Sequence, residues 1–196
     1  FASTSTDDTS PMLALDGSNT SVSSRLVHIP TNVTVNIGKG VEVSAYNNTS
    51  LVGGVFEVTG GTLTITGGVF NGNVANYAGV ISAKSGTVTI TGATFKNNKA
   101  NKDAGVFLAY YDKNDAVTKD VPITLTMENV TFLSNGAGNC GGVLNVQRDK
   151  IMYVTITGCT FDSCSAASGG AIDYRSNKAD SFLTLTGNTF EKNTAS

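Results

Sequence analysis

General acid–base chemistry needs carboxylates that converge on one groove with a lysine or arginine. The acids of this 196-residue chain are scattered instead, at Asp103, Asp112, Asp115, Glu128, Asp149, Asp162, Asp173, Asp180 and Glu191, and no regular spacing brings them into a column. Asp149-Lys150 and Asp173-Tyr174-Arg175 come nearest to a mixed-charge constellation. Mixed charges on a turn ordinarily serve solvation, so no catalytic residue is assigned and the chain is read as a non-enzyme. His28 is the only histidine, which excludes a site built on two. Cys140, Cys159 and Cys164 show no zinc-binding spacing. Three thiols cannot all pair internally; free buried thiols are expected, with a Cys140–Cys164 disulfide between turns of successive repeats as the alternative. Asp112-x-x-Asp115 offers two carboxylates to a calcium ion that takes about six to eight oxygens. No metal or cofactor is therefore expected.

The remaining chemistry is covalent modification. Asn-x-Ser/Thr sequons at Asn19, Asn32, Asn47, Asn48 and Asn129 would accept glycans in a eukaryotic secretory pathway, although a chain so rich in Asn, Ser and Thr produces several by chance. Thirteen basic residues against 15 acidic ones, a net charge of -2, give no electrostatic case for a nucleic-acid partner. No apolar run approaches the roughly 20 residues of a membrane span, so no span is expected in this segment.

The elements that would position any site are written in a repeat. Thr, Asn and Gly make up 67 of 196 residues, yet 40% of the chain is hydrophobic, enough for a core, so this composition serves order rather than disorder. Thr62 to Phe70 (TLTITGGVF), Thr87 to Phe95 (TVTITGATF), Thr124 to Phe132 (TLTMENVTF), Tyr153 to Phe161 (YVTITGCTF) and Phe182 to Phe190 (FLTLTGNTF) are one motif written five times. Three residues beyond each Phe stands Asn73, Asn98, Asn135, Cys164 or Asn193. Small pairs recur between them: Gly53-Gly54, Ala78-Gly79, Ala104-Gly105, Gly141-Gly142 and Gly169-Gly170. The Phe-to-Phe spacings are 25, 37, 29 and 29, so unit length varies while the motif does not.

Within each motif apolar and polar residues alternate at every step, as in a strand with one buried and one wet face. A glycine or asparagine follows, where the chain must bend. Short strands separated by such bends, with no helical period, cannot bury an apolar face alone but can when stacked on copies of themselves. The pattern predicts an all-β, right-handed parallel β-helix (solenoid) of about five to seven coils, its handedness following the usual crossover preference. Stacking places Phe70, Phe95, Phe132, Phe161 and Phe190 in one column and Asn73, Asn98, Asn135 and Asn193 in another, where amides can bond along the axis. Thr64, Thr89, Thr126, Thr155 and Thr184 form an outward column.

Residues 1–25 read as a Ser/Thr-rich leader or loose cap with a processed start, 26–52 as degenerate capping coils, and 53–196 as the repeats, with an insertion at 110–122. The chain stops at Ser196 where the next small pair is due, which leaves a regular coil to be met by further chain or by another subunit.

The pairing of G-G-[AVIL]-[ILVF] with F-x-x-N, counted over 53–196, resembles the repeat of the polymorphic outer membrane proteins, the chlamydial autotransporter adhesins. The matching residues are Phe70/Asn73, Phe95/Asn98, Phe132/Asn135 and Phe190/Asn193 with Gly53, Gly54, Gly141, Gly142, Gly169 and Gly170; Phe161 lacks its Asn, and Ala78 and Ala104 replace a first glycine. The resemblance implies a β-helix passenger at the cell surface, with the repeated motifs tied to binding and self-association. The expectation is an extracellular or cell-surface structural and adhesive rod, without catalysis, whose partner is a host-cell or glycan surface. One alternative is a filament of copies joined end to end. Another is an ice-binding face made by the threonine columns, which Glu128 interrupts.

Overall fold

The computed structural model describes residues 13–16 and 25–196, with the side chains of 13–16 and 49–51 outside that description. Among the described residues every regular element is a strand. All of the pairings are parallel, and the chain winds as a β-solenoid of about six turns. Three sheets run the length of the stack.

The first sheet holds the phenylalanines. Its strands Val41–Ser44, Val69–Asn71, Thr94–Lys96, Thr131–Leu133, Thr160–Asp162 and Thr189–Glu191 pair so that Val43, Phe70, Phe95, Phe132, Phe161 and Phe190 stand in strict register. The second sheet is short: Val74–Tyr77, Lys99–Ala100, Gly136–Ala137, Ser165–Ala166 and Thr194–Ala195 follow Asn47–Val52. The third is the longest. Phe56–Thr66 and Ile81–Thr91 each cross it as one strand of 11 residues. In later coils the same path is cut in two, into Phe107–Ala109 with Ile123–Glu128, Leu144–Val146 with Met152–Thr157, and Ile172–Tyr174 with Phe182–Thr186.

Alternation explains the faces. Leu63, Ile65, Val88, Ile90, Leu125, Met127, Val154 and Ile156 are fully buried, while the threonines between them face outward in register, Thr64 to Thr89 to Thr126 to Thr155 to Thr184. The rings stack face to face, with centroids 4.7 Å apart for Phe70–Phe95, 5.4 Å for Phe95–Phe132 and 4.8 Å for Phe132–Phe161. Each buried ring contributes about 1.5 to 3 kcal/mol by removal from water.

Each coil turns between the sheets through residues in the left-handed region. One corner uses Gly67, Gly92, Asn129, Gly158 and Gly187; the next uses Gly72, Asn97, Ser134, Ser163 and Lys192; the third uses Gly53, Ala78, Ala104, Gly141 and Gly169. Asn129 stands where its neighbours have glycine because asparagine tolerates positive φ. The second glycine of each pair answers to a different cause. Cβ atoms added at Gly54, Gly79 and Gly105 would lie 2.1, 2.2 and 2.2 Å from the carbonyl oxygen of the equivalent glycine one coil on. Backbones therefore touch at this position and no side chain fits, which is why alanine replaces the first glycine at 78 and 104 but never the second.

Of residues 1–25, Leu13–Asp16 forms a strand on Val41–Ser44; 1–12 and 17–24 lie outside the described residues. The segment 26–52 forms a coil in register with the next, Val27 on Phe56, Val35 on Leu63 and Val43 on Phe70.

Candidate functional site

The repeat-motif residues are scaffold. Phe70, Phe95, Phe132 and Phe161 are fully buried, and so are Asn73, Asn98 and Asn135. Asn98 accepts from the backbone N–H of Asn73 at 3.0 Å and from its Nδ2 at 2.9 Å, and donates from its own Nδ2 to the carbonyl of Phe70 at 2.9 Å. Asn135 repeats the pattern on Asn98 and Phe95. Each amide thus satisfies backbone groups freed at a corner, a net gain of about 1 kcal/mol per bond. Cys164 breaks the ladder; its thiol is buried, and burial raises its pKa. Cys159 lies inward at a small-residue position, and all three cysteines are free. Surface binding by the buried motif residues, implied by the resemblance, is incompatible with their inward placement. Phe190 and Asn193, in the last coil, are more open.

Variation is concentrated at one place outside this scaffold. In Phe56–Thr66 and Ile81–Thr91 the middle of the third sheet is a bend at Gly60-Gly61 and Gly86. The later coils replace that bend by 110–122, 147–151 and 175–181, so three loops of successive coils emerge at one corner. The largest is anchored from beneath. Lys150, whose side chain is fully buried, donates from Nζ to the carbonyls of Thr118 at 2.8 Å and Val121 at 2.6 Å. Burial pushes its pKa down to about 8 against the pull of Asp120 and Asp115. The expectation of a solvated charge at Lys150 is thereby corrected: the ammonium serves two loop carbonyls, of which that of Thr118 also accepts from the Val121 N–H. Within the loop, Asp115 caps a turn by accepting from the backbone N–H of Val117 and Thr118 and from the Thr118 hydroxyl, and these bonds hold its carboxyl below the usual range. Lys84 approaches Asp112 at 3.8 Å and Asp115 at 3.9 Å, so the pair faces an ammonium.

Beside the loops 147–151 and 175–181 lies a cavity of about 340 Å³ lined by Asp103, Cys140, Asn145, Gln147, Arg148, Asp149 and Arg175. Asp149 and Arg175, from the two mixed-charge clusters, meet here; Lys150 does not. Arg175 is held in a two-pronged pair with the buried Asp173, from Nε at 2.9 Å and Nη2 at 2.6 Å, and Nη2 also donates to Cys140 Sγ at 3.1 Å. Desolvation pushes the Cys140 thiol up to about 11, with hydrogen bonding to Asp173 and the charge of Asp103 acting the same way, so it stays protonated at neutral pH and is a poor nucleophile. Asp149 accepts from Asn177 Nδ2 at 3.1 Å, and Gln147 Oε1 accepts from the Tyr111 backbone N–H at 2.9 Å, which ties the insertion to the next coil. Asn145, Gln147 and Arg148 escaped the sequence reading. The signal for Asn145 was the second residue after each small-pair valine or alanine, where Leu108 gives way to Asn145 and Asp173.

The threonine columns are in register but bounded. Glu128 stands between Thr91 and Thr157, and Tyr153 stacks on Phe182 at 5.4 Å where the first column would continue. Of the sequons, Asn32, Asn47 and Asn129 are exposed, Asn19 lies outside the described residues, and Asn48 is fully buried with Nδ2 donating to the Gly53 carbonyl. A glycan on Asn48 is incompatible with this fold. No family model, curated protein or solved structure matches the chain.

Proposed function

We propose that the chain is an extracellular or cell-surface rod that holds a binding corner away from its base and adheres to a host-cell or glycan surface without catalysing a reaction. The observation that carries this reading is the contrast between an invariant interior and three loops gathered at one corner. Loops on a rigid support are where binding function concentrates. The groups at that corner suit recognition better than catalysis: Arg175 is paired, Asp149 is hydrogen-bonded, and Cys140 is protonated. The resemblance of the repeat to that of the chlamydial polymorphic outer membrane proteins supports the surface placement. The test is saturable binding of the purified, monomeric chain to cultured epithelial cells and to an oligosaccharide array. Absence of saturable binding to either contradicts the reading.

End-to-end assembly of copies is a second reading, in which another coil meets the last described one. Phe182, Leu185 and Phe190 in the last described coil are 46%, 45% and 46% exposed. A following coil of the same chain or a second copy would cover them equally, and sedimentation across a concentration series separates the two.

A further inference from the structure

Asn145 stands in an outward column of the third sheet, in register with Leu108 in the coil before and Asp173 in the coil after. It is 3% exposed, no hydrogen bond joins its side-chain amide to another described residue, and its polar atoms are open to the adjoining cavity rather than sealed as Ser82 Oγ is. Leu108, at the same position one coil earlier, is fully buried. An aliphatic side chain therefore fits this column, and the amide in its place is matched only by what occupies the cavity, water or a polar ligand. What the amide faces is the 340 Å³ cavity.

The other lining groups narrow what that ligand is. Arg175 is engaged by Asp173, Asp149 by Asn177, and Gln147 through its Oε1 by Tyr111. Without a hydrogen bond to another described residue are the Arg148 guanidinium, Gln147 Nε2 and the Asn145 amide, while the Asp103 carboxylate sets its charge beside Arg175 and Cys140. Arg148 supplies a planar, permanently charged fork suited to a carboxylate. Asn145, Gln147 and Asp103 supply donors and acceptors together, which suits hydroxyl groups that both give and take hydrogen bonds. A neutral polyol would leave Arg148 unused. A compact dianion such as phosphate would bring a second negative charge against Asp103 and Asp149 and leave the hydroxyl-suited groups unused.

The geometry points to a subsite for a carboxylate-bearing sugar residue, a uronic or a sialic acid, with its carboxylate on Arg148 and its hydroxyls on Asn145, Gln147 and Asp103. This deepens the adhesive reading and rests on it for the ligand's being part of a surface glycan.

The test is calorimetric or NMR titration of the full chain with digalacturonate, with 3′-sialyllactose and with lactose. One or both acidic sugars should bind, and lactose should bind at least about tenfold more weakly, the loss expected of one charge-assisted hydrogen bond. Arg148→Gln should weaken acidic-sugar binding by a similar factor. Asn145→Leu should do so too while leaving the melting temperature equal or higher, because Leu108 already occupies that column. The uronate and sialate arms identify the source of the carboxylate. Failure of both acidic sugars to exceed lactose, or undiminished binding by Arg148→Gln, overturns the proposal. Cell binding by the wild-type chain and Arg148→Gln separates the two readings: cell binding that survives in the variant removes the subsite and keeps the adhesive rod, whereas sugar binding without any cell binding does the reverse.

Discussion

A β-carbon placed on Gly105 would lie 2.2 Å from the carbonyl oxygen of Gly142, one coil on. The stack is thus closest at a column of backbone-to-backbone contacts, and the neighbour there cannot move without breaking the ladder.

Gly105→Ala should therefore cost at least about 3 kcal/mol, in the range of overpacking that the surroundings cannot relieve. Gly92→Ala is the control. Gly92, unlike Gly105, has positive φ, but an added Cβ there meets nothing within 4 Å, so its cost is left-handed strain alone, about 1 kcal/mol. Urea denaturation of the two variants measures the difference.

Phe132 sits between Phe95 and Phe161 and is fully buried. Phe132→Ala should cost about 3 to 5 kcal/mol. Phe190→Ala, at the open end of the same column, should cost clearly less because its ring is half exposed. A near-equal pair of values would mean that the last coil is covered.

Cys164 interrupts the amide ladder between Asn135 and Asn193, which already donates its Nδ2 to the Phe161 carbonyl at 2.9 Å. Cys164→Asn supplies the missing amide, with the Phe132 carbonyl, now 3.9 Å from Cys164 Sγ, as its acceptor. The variant should gain about 1 kcal/mol. Thermal unfolding under reducing conditions shows it as a raised midpoint.

The Lys150 pKa falls from 10.5 to about 8 on folding, so between those values the unfolded chain binds more protons and this residue's contribution to stability rises with pH. The contribution is complete above the unfolded value and is lost as pH falls through the folded one. It amounts to at most about 3 kcal/mol, because the two carbonyl bonds favour the charged form. Buried Cys159 and Cys164 oppose it: burial raises their thiols, so their contribution is lost as pH rises. The stability difference between wild type and Lys150→Met isolates the lysine, and it should shift in favour of the wild type between pH 8 and pH 10. The same variant, by releasing Thr118 and Val121, should expose Lys113 and Lys119 to trypsin sooner than the wild type.

Nearly all of the scaffold was legible in the chain. Period-two alternation sets which residues face inward, and the five aligned motifs set the register of Phe70 through Phe190. Cys159 was readable as an inward small residue for the same reason. Lys150 was not, because its burial depends on carbonyls of a loop 29 and 32 residues away in sequence. Asn145 was hidden by its context: an outward polar residue on a strand looks solvated until the loops that enclose it are placed. Repetition reports what every coil shares, whereas the cavity is made from what three coils do not share.

Register supplies the most direct test of the binding corner. Ala109 pairs with Ala83 and Ile123 with Gly86, so 110–122 occupies the place of Lys84-Ser85 in the coil before. Replacing 110–122 by Lys-Ser in a Lys150→Met background should leave a folded, monomeric solenoid whose binding to cells and oligosaccharides is reduced by at least about tenfold, because the cavity-lining Gln147 loses the Tyr111 N–H that holds its Oε1. Undiminished binding by that folded variant would place recognition on the regular faces of the rod and contradict the assignment of function to its looped corner.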